Sequence, residues 1–364
     1  MKCCKTAHGT PPRRPVDFEN ATISAARVAP RTMTQRPLIV MLDDFEHAAR
    51  TCADWSAVEH KADVRIFHEP LQGDALIEAL HPAQALVLMR ERTALPADVI
   101  HKLPNLKYLL FTGNRNEAID LPALRERGVH VSCTRFGPSR ISACEQAWAL
   151  ILAATKRLPQ NDHGVRRGQW RETGVLPTML HGERIGLVGL GDIGVRMDAV
   201  AQAFGMDVVT WSPHMTMARA AARDAKAVSF TELLETCKVI SLHLVASAAT
   251  RHLFGAEQFA RMRNDAIFVN TSHPSLVDEA ALVDALAKCR PGAAGLDVFA
   301  AEPLAPSHAL LNAKNVVVSP HLGFGCQQVF EQFYADAAES MLAWLNGEPL
   351  LREVWLTGAP ASSV

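Results

Sequence analysis

The stretch Arg184-Ile185-Gly186-Leu187-Val188-Gly189-Leu190-Gly191-Asp192-Ile193-Gly194 decides the architecture. A short apolar run, read as a strand, leads directly into G-x-G-x-x-G, and the following residues to about 204 carry a helical pattern. In a strand–turn–helix of this kind the first glycine permits the tight turn and the second lets backbone approach a pyrophosphate. The third allows close helix–strand packing, and the helix N-terminus offers N–H groups and positive dipole to phosphate. Gly189, Gly191, Asp192, Ile193 and Gly194 are therefore expected to cradle a dinucleotide.

Outward from this loop the same alternation recurs. Residues 38–42, 64–67, 85–89, 108–111 and 129–133 read as strands, with helical stretches at 50–59, 74–80 and 97–102. A longer apolar helix at 141–157 precedes the glycine loop, and strands at 208–211, 239–242, 266–270, 293–297 and 316–319 follow it. A last helix spans 327–346. Short strands alternating with helices predict an α/β protein with parallel sheets. A length of 364 residues suits two domains, and 48% hydrophobic residues provide for their cores.

Composition narrows the function. A net charge of −1 argues against a nucleic-acid surface, and the absence of a long apolar run argues against a membrane span. Residues 1–36 hold seven Lys/Arg against two Asp/Glu, whereas the remainder holds 30 against 36. This leading segment is rich in Pro, Arg and Thr, has no apolar core of a secretory signal, and reads as a disordered tail. The eight cysteines include no C-x-x-C pair and read as reduced thiols of a cytoplasmic protein, with no metal site expected.

Three further segments carry the chemistry. They are Asn270-Thr271-Ser272-His273-Pro274, then Gly295-Leu296-Asp297-Val298-Phe299-Ala300-Ala301-Glu302-Pro303, then Ser319-Pro320-His321-Leu322-Gly323. In this order they resemble the signature of the D-isomer-specific 2-hydroxyacid dehydrogenases. The resemblance covers about residues 37–350 and implies two Rossmann-like domains with the active site in the cleft between them. The substrate domain would comprise 37–134 and a returning segment at 321–350, the dinucleotide domain 135–320, and 351–364 a second tail.

The resemblance also implies roles. His321 would protonate the developing alkoxide as hydride reaches C2 of a 2-keto acid, since imidazole can supply a proton near neutral pH. Glu302 would bond its other ring nitrogen and favour the imidazolium. Asp297 matches the position that holds the nicotinamide carboxamide, while Thr271, Gly323 and His243 match walls of the cofactor cleft. Gly113 and Asn114 would offer backbone N–H groups to the substrate carboxylate, with Arg90 or Arg115 adding positive charge. Arg92 reads equally well as a solvated surface residue. A homodimer through the dinucleotide domains is the implied assembly.

Two positions set this chain apart. At the end of the second strand of the dinucleotide unit, 21 residues beyond Gly191, stand Ser212 and Pro213 rather than an acid. No carboxylate there repels a 2′-phosphate, so the cofactor is NADP or NAD with a lean to NADP. His273 and Pro274 replace the Arg-Gly of the family pattern N-T-x-R-G. Losing a planar fork with two charge-assisted bonds lowers kcat/KM by on the order of 10²–10⁴. The expectation is a reductase of reduced efficiency in which His273 takes part. The alternative is a catalytically impaired dinucleotide-binding protein with a regulatory role.

Overall fold

The computed structural model describes residues 36–171, 176–223 and 225–354. The terminal tails expected from the sequence therefore fall mostly outside the described residues. The first unit runs β1 (Leu38–Leu42), α1 (Ala49–Cys52), α2 (Ser56–Glu59), β2 (Asp63–Ile66), α3 (Gly73–Leu80), β3 (Ala85–Leu88), α4 (Ala97–Ile100), β4 (Tyr108–Phe111), α5 (Leu121–Glu126) and β5 (His130–Cys133). Two helices, α6 (Ser139–Lys156) and α7 (Leu158–Arg166), lead to the second unit. It comprises β6 (Arg184–Val188), α8 (Asp192–Ala203), β7 (Asp207–Trp211), α9 (Met217–Ala221), β8 (Lys226–Ala227), α10 (Phe230–Thr236), β9 (Val239–Leu242), α11 (Ala256–Arg261), β10 (Ile267–Asn270), α12 (Glu279–Ala287), β11 (Ala293–Leu296), α13 (Ala309–Asn312) and β12 (Val316–Val318). The last helix among the described residues is α14 (Gln327–Asn346).

Both sheets are wholly parallel. Their strand orders are β2-β1-β3-β4-β5 and β12-β11-β10-β9-β6-β7-β8. Parallel sheets bury both faces, which is why their strands read as near-continuous apolar runs. Alternation along each strand divides them between two layers. In the first sheet Ile39, Met41, Val87 and Tyr108 pack with Phe330, Phe333, Tyr334 and Met341 of α14. Val40, Leu42, Leu86 and Leu109 face Leu76, Leu80 and Leu124 on the other side. In the second sheet Val188, Ile240 and Phe268 meet Leu233, Phe259 and Leu282. Ile185, Leu187 and Val269 meet Ala147, Trp148 and Ile151 of α6 with Met197 of α8.

The last helix thus completes the first sheet's core although it follows the second sheet in sequence. Asp336, buried on α14, accepts the backbone N–H of Arg135 at 2.8 Å and its guanidinium Nη2 at 2.7 Å. This fixes the crossover between the units. Besides short elements the sequence reading did not mark, such as α5, α7 and β8, two expected segments differ. The stretch 50–59 is two helices, because Trp55 turns in to donate its indole N–H to the Ala49 carbonyl and Asp54 accepts the Ser56 N–H. Residues 352–354, expected in a tail, lie along β5: Cys133 N–H donates to the Arg352 carbonyl and Val354 N–H to that of Val131.

Candidate active site

The carboxyl ends of the strands in the second sheet carry nearly every expected residue. Strand order reverses between β6 and β9, the place where an open α/β sheet leaves a crevice. Gly189 follows β6 with φ 105°, and a Cβ there would come within 2.6 Å of the His243 carbonyl oxygen. Only glycine fits both demands. Gly191 is the N-cap of α8, Asp192 its first residue, and Ile193 packs against the α6 layer. Gly194 closes the turn beneath them, 2.3 Å from the Gly189 oxygen to where its Cβ would lie.

His243 sits at the end of β9, its N–H bonded to the Val188 carbonyl. Its Nε2 is shut off from water without a partner among the described residues, and burial pushes the imidazole down to about 3, so the ring is neutral. An orphaned buried nitrogen beside the glycine loop suits a cofactor contact and excludes an acid role. Ser212 and Pro213 follow β7; the Ser212 carbonyl accepts the Met215 N–H, and Arg219 donates to the His214 carbonyl at 2.8 Å. The glycine turn, its helix N-terminus and the unpartnered His243 nitrogen together fit a dinucleotide.

At the other edge of the crevice, the His321 Nδ1 lies 2.7 Å from Glu302 Oε2, and Glu302 Oε1 accepts the Phe299 N–H at 2.9 Å. Burial works to raise the Glu302 carboxyl, but the bond and charge of His321, the Phe299 N–H and Arg92 outweigh it and hold the carboxyl below its usual range. His321 has φ 56°, a left-handed conformation that non-glycine residues seldom adopt. What holds it there is Asp297. This fully buried carboxylate accepts Leu322 N–H at 2.9 Å and Ser319 Oγ at 2.5 Å on Oδ1, and Gly323 N–H at 2.7 Å on Oδ2. Burial raises its pKa against these bonds. Both Asp297 oxygens are thus engaged in holding this turn, a structural task beside the carboxamide contact assigned to it by resemblance. Gln146 of α6, which the sequence did not flag, joins the same network through Ser319 at 2.7 Å.

His273 follows β10 in an extended conformation and caps the short 3₁₀ turn Pro274–Leu276. Its Nδ1 accepts the Ser275 N–H at 3.2 Å and meets Ser275 Oγ at 2.9 Å. A backbone donor at Nδ1 leaves the neutral ring its proton on Nε2, as a single outward donor. Pro274 at the first position of this turn lacks an N–H that would otherwise go unbonded. Thr271 is half-buried, its carbonyl 3.9 Å from where a Cβ on Gly323 would lie, so the loops after β10 and β12 meet.

The first sheet contributes an unexpected arrangement. Gly113 donates its N–H to Thr134 Oγ1 at 2.8 Å, so that amide is not free for a carboxylate; Asn114 is exposed. Arg115 turns outward into an ion pair with Glu117 at 2.5 Å. Arg92 is not a solvated residue either. Its guanidinium bonds both oxygens of Glu46 and the Asp43 carbonyl, and lies 4.5 Å from the Phe45 ring centroid. Neither Glu46 nor Phe45 could be paired with Arg92 from sequence, because the contact spans 46 residues. Arg90 differs from all of these. It has no carboxylate partner among the described residues, only carbonyls of Thr112 and Arg115 at 3.3 and 3.5 Å. Burial lowers its pKa, though a guanidinium keeps its charge. Phe324 stands 5.8 Å from Arg90, equally far from Arg92, and edge-on to His321 at 5.4 Å. A half-buried cation without a carboxylate partner among the described residues therefore shares one aromatic neighbour with the acid of the site.

Comparison with known proteins agrees with this geometry. Residues 148–323 match the family described as D-isomer specific 2-hydroxyacid dehydrogenase, NAD binding domain. The chain is 37% identical over 313 residues to D-3-phosphoglycerate dehydrogenase of Mycobacterium bovis, covering 86% of this chain and 57% of that protein. It is 33% identical over 296 residues to glyoxylate reductase of Aeropyrum pernix, covering 79% of this chain and 88% of the other. The structure of phosphoglycerate oxidoreductase from Vibrio cholerae superposes with a TM-score of 0.80 at 32% identity, over 85% of this chain and 99% of that one. The chain thus spans little more than half the length of the phosphoglycerate dehydrogenase it matches, and most of the shorter reductase. By sequence, by fold and by the order of its site segments, this chain belongs to the D-isomer-specific 2-hydroxyacid dehydrogenases, and its second sheet is the NAD-binding domain of that family.

Proposed function

We propose that this protein reduces a small 2-keto acid to the D-2-hydroxy acid, with His321 as proton donor and Arg90 in place of the missing arginine. The observation that carries the reading is the His321–Glu302 pair at 2.7 Å, which leaves Nε2 as the one ring nitrogen without a protein partner among the described residues. A bound nicotinamide cofactor supplies the hydride. Nε2–H then gives its proton to the oxygen growing negative at C2, and Glu302 steadies the imidazolium before transfer. The substrate carboxylate would sit against Arg90, whose half-buried charge has no carboxylate partner among the described residues. His273 Nε2–H adds one neutral hydrogen bond where the family uses a charged fork.

The Gly189–Gly194 loop and His243 would hold the dinucleotide. Preference for NADPH over NADH is supported by the lack of a carboxylate at Ser212 and by Arg219, which has no acidic partner among the described residues. A homodimer formed through the second unit is supported by exposed Leu158, Val165, Trp170 and Met179 on and after α7. Light scattering on wild type and Trp170→Glu checks it: a dimer that becomes monomeric is expected, and a wild-type monomer removes the proposal.

The deciding experiment is the initial rate of NADPH and NADH oxidation across a panel of small 2-keto acids, in wild type and in His273→Arg/Pro274→Gly. Turnover on at least one acid, faster with NADPH, is expected from wild type. Tight cofactor binding without turnover, with activity appearing in the double variant, would instead mark a regulatory dinucleotide-binding protein.

A further inference from the structure

A second ion pair stands at the mouth of the dinucleotide loop and has no part in the proton chemistry. Asp192 is the first residue of α8, so its carboxylate lies at the helical turn whose N–H groups and dipole suit phosphate. A pyrophosphate drawn to this turn meets a negative charge already present. Arg140, in the first turn of α6, forms a salt bridge with that carboxylate across the two helices. The pair is not core: the two side chains are 51% and 52% exposed. Gly191, immediately before Asp192, also borders open space, with no atom within 4 Å of where a Cβ would lie.

The guanidinium is held on two sides. Besides Asp192 it has the Phe136 ring, with its centroid 5.5 Å away, and the same ring lies 5.6 Å from Arg90. Only Nη1 donates to Asp192; Nε and Nη2 donate to no group among the described residues. A steadied guanidinium with two spare donors, at the open edge of a phosphate-binding turn, matches the geometry by which arginine clasps phosphate oxygens.

We propose that Arg140, steadied by Asp192 and Phe136, is a ligand of the cofactor pyrophosphate, reaching the dinucleotide loop from the helix that links the two units. This rests on the reading of Gly189–Gly194 as the dinucleotide site. Asp192 then acts in two senses. It positions Arg140, and it sets a like charge beside the phosphates, so the two residues influence anion affinity in opposite directions.

Calorimetric titration with NADPH, ADP-ribose and adenosine tests this without reference to turnover. ADP-ribose carries the pyrophosphate without nicotinamide, and adenosine carries no phosphate. Arg140→Ala should raise Kd for NADPH and ADP-ribose about tenfold and leave adenosine unchanged, with Arg140→Lys recovering part of the loss. Asp192→Asn should lower Kd for ADP-ribose. Added salt should weaken ADP-ribose binding more steeply in wild type than in Arg140→Ala. Equal Kd for ADP-ribose in wild type and Arg140→Ala would overturn the proposal. If wild type bound neither NADPH nor ADP-ribose, the dinucleotide reading itself would fall. Wild-type binding that Arg140→Ala leaves unchanged would sink this inference alone.

Discussion

The guanidinium of Arg90 occupies the space that a side chain on Gly113 would fill: Nη1 lies 1.9 Å from where a Cβ would sit. The glycine, at φ 85°, is what lets the cation lie across the end of β4. Two substitutions should therefore share one outcome. Gly113→Ala displaces the guanidinium and Arg90→Met removes it; each should lower kcat/KM for the keto acid by about 10–100-fold while leaving the Kd of NADPH unchanged. Arg115→Ala, which loses only an exposed ion pair, should change it less than about threefold. Steady-state kinetics on the three variants decide it. An Arg115 effect as large as that of Arg90 would move the carboxylate site outward.

Glu302 links the site to acid stability. Its carboxyl is held below the usual range, so the folded protein binds a proton there less readily than the unfolded chain does. The His321 contact thus contributes stability that is complete above the ordinary glutamate value of about 4.3 and is lost as pH falls through the lower folded value. Glu302→Gln has no such charge to lose. Its unfolding free energy, measured in urea, should decline less between about pH 5 and pH 3 than that of wild type. At neutral pH the same variant should turn over about 10–100-fold more slowly, because Gln cannot steady an imidazolium. Parallel acid curves in the two proteins would remove Glu302 as the source.

Much of this was legible in the sequence, for reasons that are local. The runs at 38–42, 184–188 and 239–242 are apolar because both faces of a parallel sheet are buried, and they form strands at those positions. The last helix is 20 residues long and amphipathic, so its periodicity could be counted. The short helices α9–α13 were not, since four to nine residues hold too few turns to establish a period. In the site, His321 and Glu302 were readable because each stands in its own motif. Arg92 was not. Whether an arginine faces water or a carboxylate 46 positions away is settled by how β1 and β3 lie together, which no window of sequence contains. Gly113 was misjudged as a free amide for the same reason: Thr134, which takes its N–H, arrives from the end of β5.

Asp44 offers a test of what holds the first unit together. It is 1% exposed and accepts the Ala48 N–H at 2.9 Å, the Ala49 N–H at 3.2 Å and the Tyr334 hydroxyl at 2.7 Å. The last of these joins the loop after β1 to the returning helix across 290 residues. Asp44→Ala leaves three buried donors unbonded and should cost about 3 kcal/mol of unfolding free energy. Tyr334→Phe removes one donor and keeps the carboxylate's backbone partners, so it should cost about 1 kcal/mol. Denaturant titration followed by fluorescence would measure both. Equal losses would mean that the tyrosine bond, rather than the loop after β1, carries the effect.

Asp297 separates holding a cofactor from placing an acid. Its oxygens accept Leu322 N–H, Gly323 N–H and the Ser319 hydroxyl, and through them set the turn that presents His321 in a left-handed conformation. Asp297→Asn replaces one acceptor with an amide group that faces a backbone N–H, donor against donor. The turn must then shift, and His321 with it. A positioning residue of this kind should show in kcat, lowered by about 10²-fold, with the Kd of NADPH nearly unchanged. A residue that bound the nicotinamide carboxamide would show the reverse, weaker cofactor binding with kcat largely kept at saturation. Replacing Ser319 with Ala removes one of the four donors, the others being Leu322, Gly323 and Gln146, and should move kcat in the same direction by a smaller factor. If Asp297→Asn weakened NADPH binding while Ser319→Ala did nothing, the carboxylate would belong to the cofactor after all, and the strained His321 backbone would need another support.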